Sequence, residues 1–104
     1  DRNKLNTEQT YSWIFLAVAL ASQNEPADSK GISTIADGIN HAVPTQKELQ
    51  TSISWLSEKG LISKQGKKYQ LTLQGTNQYQ EASANTSTLL KIWENLEEKL
   101  KSYA

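Results

Sequence analysis

The sequence predicts a mainly α-helical fold with a small β-hairpin and an extra C-terminal helix. Three observations predict this class: a long apolar segment near the start, a capped amphipathic helix followed by a short alternating strand, and apolar residues at helical spacing near the end. A chain of 104 residues is long enough to bury a hydrophobic core. We expect residues 1–84 to form one domain, and residues 85–104 to form a helix that packs on the core or mediates dimerisation.

The first two helices are predicted from capping residues and from apolar spacing. Asn6 or Thr7 can cap the first helix, which we expect to end near Ser22. This helix is apolar on almost every side, so it should be buried on several faces. Residues 23–30 include Pro26 and several polar residues and are expected to form a loop. The second helix is expected over residues 32–40, where isoleucines recur at helical spacing.

The third helix, residues 45–59, has the clearest start and end signals in the chain. Thr45 and Glu48 stand at the spacing of a capping box, in which each side chain bonds the other residue's backbone N–H. Gly60 can adopt the left-handed conformation that often follows a helix. The buried stripe of this helix is expected to consist of Leu49, Ile53 and Leu56.

A hairpin over residues 61–73 should follow this helix. Its second strand is predicted from alternation, with Tyr69, Leu71 and Leu73 on the buried side. A two-residue turn is predicted at Gln65-Gly66, because glycine tolerates positive φ. Thr72 is the expected cap of a fourth helix that ends near residue 84, and residues 85–87 are the expected break before the last helix.

The last helix, about residues 88–102, has an apolar seam at alternating steps of four and three residues. Two heptads are too short for a stable isolated coiled coil. The seam therefore predicts packing either on the first helix of the same chain or on a second protomer. Two additional apolar residues, Leu90 and Ile92, widen the stripe and favour a homodimer. The candidate dimer-interface residues are Leu89, Trp93, Leu96, Leu100 and Tyr103.

Composition excludes several classes of protein. The chain has no cysteine, which excludes disulfides and thiolate chemistry. The apolar run over residues 13–21 is too short to span a bilayer, which needs about 20 residues. We therefore expect no membrane partner and take the cytoplasm as the default location. The net charge is zero, yet residues 45–74 hold five lysines and two glutamates, an excess of three positive charges.

Residues 7–84 resemble a winged helix-turn-helix domain of the bacterial regulator type, close to the MarR and PadR families. The resemblance is carried by the stripe of the third helix, by Glu58-Lys59-Gly60-Leu61-Ile62, and by the segment from Tyr69 to Gly75. Small bacterial winged-helix proteins of unassigned role share the same features. The resemblance implies a transcription regulator that binds double-stranded DNA as a homodimer.

In such regulators the third helix lies in the major groove and the hairpin, or wing, contacts phosphates. The polar face of this helix would read base edges through glutamine, lysine and hydroxyl groups. Arginine, the commonest reader of guanine, is missing after Arg2, and the wing is short. The DNA-binding residues implied by the resemblance are Gln46, Lys47, Gln50, Thr51, Ser54, Lys64, Lys67 and Lys68.

Two other functions are weighed against DNA binding. A winged-helix module for protein–protein contact is favoured by the balanced charge, by the apolar last helix, and by Trp55 if its side chain is exposed. A packing role for Trp55 against the hairpin or the terminal helix is the alternative. An enzyme is not expected, because the nucleophile, phosphate-loop and metal-binding motifs are missing, and no cofactor is expected. His41, four residues after Asp37, is interpreted as a structural residue at the end of the second helix.

Overall fold

The computed structural model describes residues 4–104, which form five helices and a small antiparallel sheet. This confirms the predicted fold class. The helices are α1 (Thr7–Ala21), α2 (Ser29–Asn40), α3 (Gln46–Glu58), α4 (Leu73–Ser83) and α5 (Leu89–Lys101). The strands are β1 (Ala27–Asp28), β2 (Ile62–Gln65) and β3 (Lys68–Leu71), in the sheet order β1-β3-β2.

The core is built around α1, which packs against α2, α3 and α5. Eight consecutive residues, from Ser12 to Ala19, are buried, so the expectation of a helix covered on several faces is confirmed. Asn6 caps this helix through a reciprocal pair of bonds: its side chain accepts from Gln9 N at 2.8 Å, and its N–H donates to Gln9 Oε1 at 2.9 Å. The first helix therefore begins as the sequence predicts.

The segment predicted as a loop over residues 23–30 contains a strand and the first residues of α2. Asp28 pairs with Lys68 in the sheet, and its carboxylate accepts the N–H of Gly31 at 2.8 Å as the cap of α2. The second helix therefore starts three residues earlier than predicted. A strand of two residues has no periodicity to detect, because it is formed only by pairing with β3.

Two other details of the prediction are wrong in the hairpin region. Gln65 pairs with Lys68, so the two turn residues are Gly66, at φ 65°, and Lys67. Leu73 is 80% exposed, because Thr72 accepts the N–H of Gly75 and starts α4 before the strand alternation reaches Leu73. The cap at Thr72 and the break after α4 are as predicted.

The seam of α5 is used inside the chain. Leu96 and Leu100 are fully buried where α5 packs on α1 and α4. Trp93 Nε1 donates to Gln9 O at 3.0 Å, and Tyr103 accepts a bond from Gln74 Nε2 at 2.7 Å. The prediction that Leu96 and Leu100 lie at a dimer interface is wrong, because their side chains already fill the protomer core. Leu89, at 39% exposure, is the seam residue most open to a partner.

The capping box of α3 gives the first testable prediction. Thr45 Oγ1 accepts the N–H of Glu48 at 3.0 Å, and Glu48 Oε1 accepts the N–H of Thr45 at 2.9 Å. We expect Thr45→Ala to lower the free energy of unfolding by about 1 kcal/mol, since the first turn loses an acceptor. Urea denaturation measures this loss. Thr51→Ala, in the exposed middle of the same helix, is the matched control and should not destabilise the protein. Equal losses in both variants would contradict the prediction.

Candidate nucleic-acid interface

The third helix is held against the core by one face only. Its stripe of Leu49, Ile53 and Leu56 is buried, as predicted, and α3 packs on α1. Pro44, which is also buried, precedes the capping residue Thr45 and fixes the path by which the chain enters the helix. The helix ends at Gly60, whose φ of 76° lets the chain reverse into the hairpin. The opposite face of α3 is therefore directed away from the core.

All five predicted base-contact residues are exposed on this outer face. The residues are Gln46, Lys47, Gln50, Thr51 and Ser54. The C-terminal helix packs on α1 and α4 and leaves this face of α3 uncovered. The polar face of α3 thus combines amide, ammonium and hydroxyl groups on one accessible surface.

The hairpin that follows α3 presents its three lysines on different sides. Lys64 is paired with Tyr69 on the strand face that turns towards the core, and its ammonium lies 6.0 Å from the ring centroid. Lys68 is paired with Gln65 on the opposite face, and Lys67 lies in the turn. All three are exposed. The hairpin therefore carries a cationic tip rather than a single row of lysines.

The ion pairs of the described residues lie elsewhere. Within residues 4–104, every lysine with a carboxylate within 4.0 Å belongs to α5. The shortest pair joins Lys99 Nζ to Glu81 Oε1 at 2.8 Å. In another, Glu98 accepts a bond from Lys101 and raises the pKa of that ammonium. In that part of the chain, Lys47 and the hairpin lysines form no ion pair within 4.0 Å, although Asp28 is the cross-strand neighbour of Lys68. The ammonium groups of these lysines can therefore contact an anionic partner.

Trp55 packs differently from the prediction. Its ring stacks on Tyr11 of α1, with centroids 4.4 Å apart and planes 14° from parallel. Lys59 lies over the Trp55 ring at 5.7 Å. The partner is therefore neither the hairpin nor the terminal helix. Because one ring face is covered and the residue is only partly exposed, Trp55 helps fix α3 on α1 rather than standing out as an interface anchor.

His41 ends α2 through its backbone. It adopts a left-handed conformation at φ 57°, and its N–H donates to Asp37 O at 2.6 Å. A spacing of four residues would place two side chains on one face of a helix. His41 lies just beyond α2, so this relation does not apply to His41 and Asp37. Among residues 4–104, no group of three or more histidine or acidic residues is arranged to hold a metal ion.

Comparison with protein-family models, with curated proteins and with solved structures gives no match for this chain. Within the described residues, the helices are too short or too polar to cross a bilayer.

Proposed function

We propose that this chain is a winged helix-turn-helix protein that binds double-stranded DNA and regulates transcription in the cytoplasm. The proposal rests mainly on one observation: the polar outer face of α3 is exposed beside a hairpin whose three lysines are exposed and, among residues 4–104, form no ion pair within 4.0 Å. The order α1-β1-α2-α3-β2-β3, with β1 pairing on β3, supports the winged-helix assignment and its resemblance to MarR and PadR regulators.

In the proposed complex, α3 lies in the major groove. Gln46 and Gln50 are suited to adenine edges, and Lys47 to guanine or phosphate. Thr51 and Ser54 supply hydroxyl groups that bond to bases or phosphates. The hairpin lysines contact the backbone, which positions the helix without reading sequence. A homodimer would place two copies of α3 about 34 Å apart, one helical turn of DNA.

The test of this proposal is the salt dependence of duplex binding. The logarithm of the affinity falls linearly with the logarithm of the salt concentration, with a slope of about −0.9 for each phosphate contact. With about four lysines on phosphates, we expect a slope of about −3 to −4 per protomer. Fluorescence anisotropy of a labelled mixed-sequence duplex, titrated at several KCl concentrations, measures this slope. A slope near zero, or no binding at low salt, would contradict DNA binding.

A protein–protein contact module is the second candidate. It is favoured by exposed leucines at the start of α5, where Leu90 is 59% exposed and Leu89 lies beside it. The stacked position of Trp55 removes the other residue that had favoured this function. If this surface is the functional one, Leu89→Ser together with Leu90→Ser should abolish binding to a partner protein or to a second copy of the chain. If α3 is the functional surface, the same variant should keep its affinity for duplex DNA.

A further inference from the structure

A cleft of about 400 Å³ lies between the start of α1 and the first half of α3. This volume falls within the range of about 300–1,000 Å³ that small-molecule sites occupy. The cleft opens beside the polar face of α3, and two of its lining residues, Lys47 and Thr51, belong to that face. Its opposite side is formed by the segment from Lys4 to Tyr11.

The charge of the cleft favours an anion. Lys4, which precedes α1, and Lys47 of α3 line it from opposite sides, and both residues are exposed. Glu48 is the acidic residue in the lining, and its carboxylate already accepts the N–H of Thr45 at 2.9 Å. A bound anionic group would therefore meet two lysines and a carboxylate that the helix cap holds in place.

The interior of the cleft is suited to an apolar body. Leu5 and Tyr11 supply the apolar surface, and the Tyr11 ring is held in place by stacking on Trp55. Ser52 is fully buried at the cleft, and among the described residues its hydroxyl has no hydrogen-bond partner. Buried hydroxyls are nearly always bonded, so this one points to a polar group supplied from outside residues 4–104.

We propose that this cleft binds a small organic anion that has an aromatic or aliphatic body. Its charged group lies between Lys4 and Lys47, its body contacts Leu5 and Tyr11, and Ser52 provides a hydrogen bond. One consequence rests on the proposed function: because Lys47 and Thr51 serve both sites, the ligand and duplex DNA compete. By linkage, each then lowers the affinity for the other by the same factor.

The test uses the probe 1-anilinonaphthalene-8-sulfonate, an aromatic anion, titrated into the full chain without DNA. We expect one saturable site, with a change in tryptophan fluorescence because Trp55 stacks on a lining residue. Lys4→Gln together with Lys47→Gln should weaken probe binding by about tenfold, because two charge-assisted contacts are lost. N-phenyl-1-naphthylamine, which has the same rings without the sulfonate, should bind more weakly than the anionic probe.

The matched control is Lys91→Gln together with Lys101→Gln, which removes the same charge from α5 and should leave probe affinity unchanged. Equal weakening in both variants, equal binding of the neutral probe, or no saturable binding would overturn the proposal. A duplex affinity that does not change at saturating probe would contradict the proposed competition between ligand and DNA. Failure of the chain to bind any duplex would reject the proposed function and would leave the probe titration as a separate result.

Discussion

Replacing Gly75 by alanine is expected to lower the free energy of unfolding by about 3 kcal/mol, at the upper end of the usual cost of overpacking. A Cβ at this position would lie 2.0 Å from the backbone oxygen of Leu61 and 3.4 Å from Phe15 Cε1. The oxygen belongs to the main chain, so no side-chain rotation relieves the clash. The start of α4 would have to move away from the start of the hairpin.

That movement would also break two hydrogen bonds that join the same elements. Thr72 N donates to Leu61 O at 3.1 Å, and Thr72 Oγ1 donates to Gly60 O at 2.6 Å. Urea denaturation followed by circular dichroism measures the loss of stability. Gly38→Ala is the matched control, because Gly38 is exposed within α2 and an added Cβ would meet nothing within 4 Å. It should stabilise the protein by about 1 kcal/mol. A Gly75→Ala variant as stable as the original chain would contradict the close approach.

The features that the sequence predicts correctly are those set by neighbouring residues. The caps at Asn6, Thr45 and Thr72 depend on side chains that bond backbone groups three residues away, so their signals are complete within one turn. The exposed face of α3 follows in the same way, because helical spacing fixes which residues lie opposite a buried stripe.

The features that the sequence does not predict depend on contacts between distant segments. β1 exists because Ala27 meets Tyr69, and Trp55 stacks on Tyr11 because α3 crosses α1. The α5 seam has the same spacing whether it faces its own core or a second protomer, so the pattern alone leaves both arrangements open. The cleft at Lys4 is not predictable for the same reason, since one side comes from residues 4–11 and the other from α3.

Reversing the charge of Lys47, Lys67 and Lys68 together is expected to reduce duplex affinity by roughly 500-fold at 0.1 M salt. The figure follows from the proposed phosphate contacts: at a slope of about 0.9, each contact contributes a factor of about eight at 0.1 M relative to 1 M salt. The reversed side chains also add repulsion from the DNA, so the reduction is a lower bound. Anisotropy titration of the duplex measures it.

The control must separate local contact from net charge. Lys91, Lys99 and Lys101, all on α5, can be changed to glutamate with the same effect on net charge. The ion pairs of Lys91 and Lys101 are exposed and that of Lys99 is partly exposed, and such surface pairs contribute little to stability, so this variant should remain folded. Circular dichroism checks the fold, and sedimentation checks the oligomeric state of both variants. If the polar face of α3 and the wing form the interface, only the first variant loses affinity and its salt slope falls by about three.

The two variants also distinguish specific docking from general attraction. If DNA were attracted only by the net charge of the protein, both charge reversals would weaken binding alike, because they change the net charge equally. A direct contact differs, because at 0.1 M salt charges more than about 10 Å from the DNA are largely screened. A net charge of zero provides no such general attraction to begin with. Duplex binding by this chain therefore requires a local excess of positive charge, and the segment from α3 to the hairpin is where that excess lies. Equal losses in the two variants would reject α3 as the contact surface.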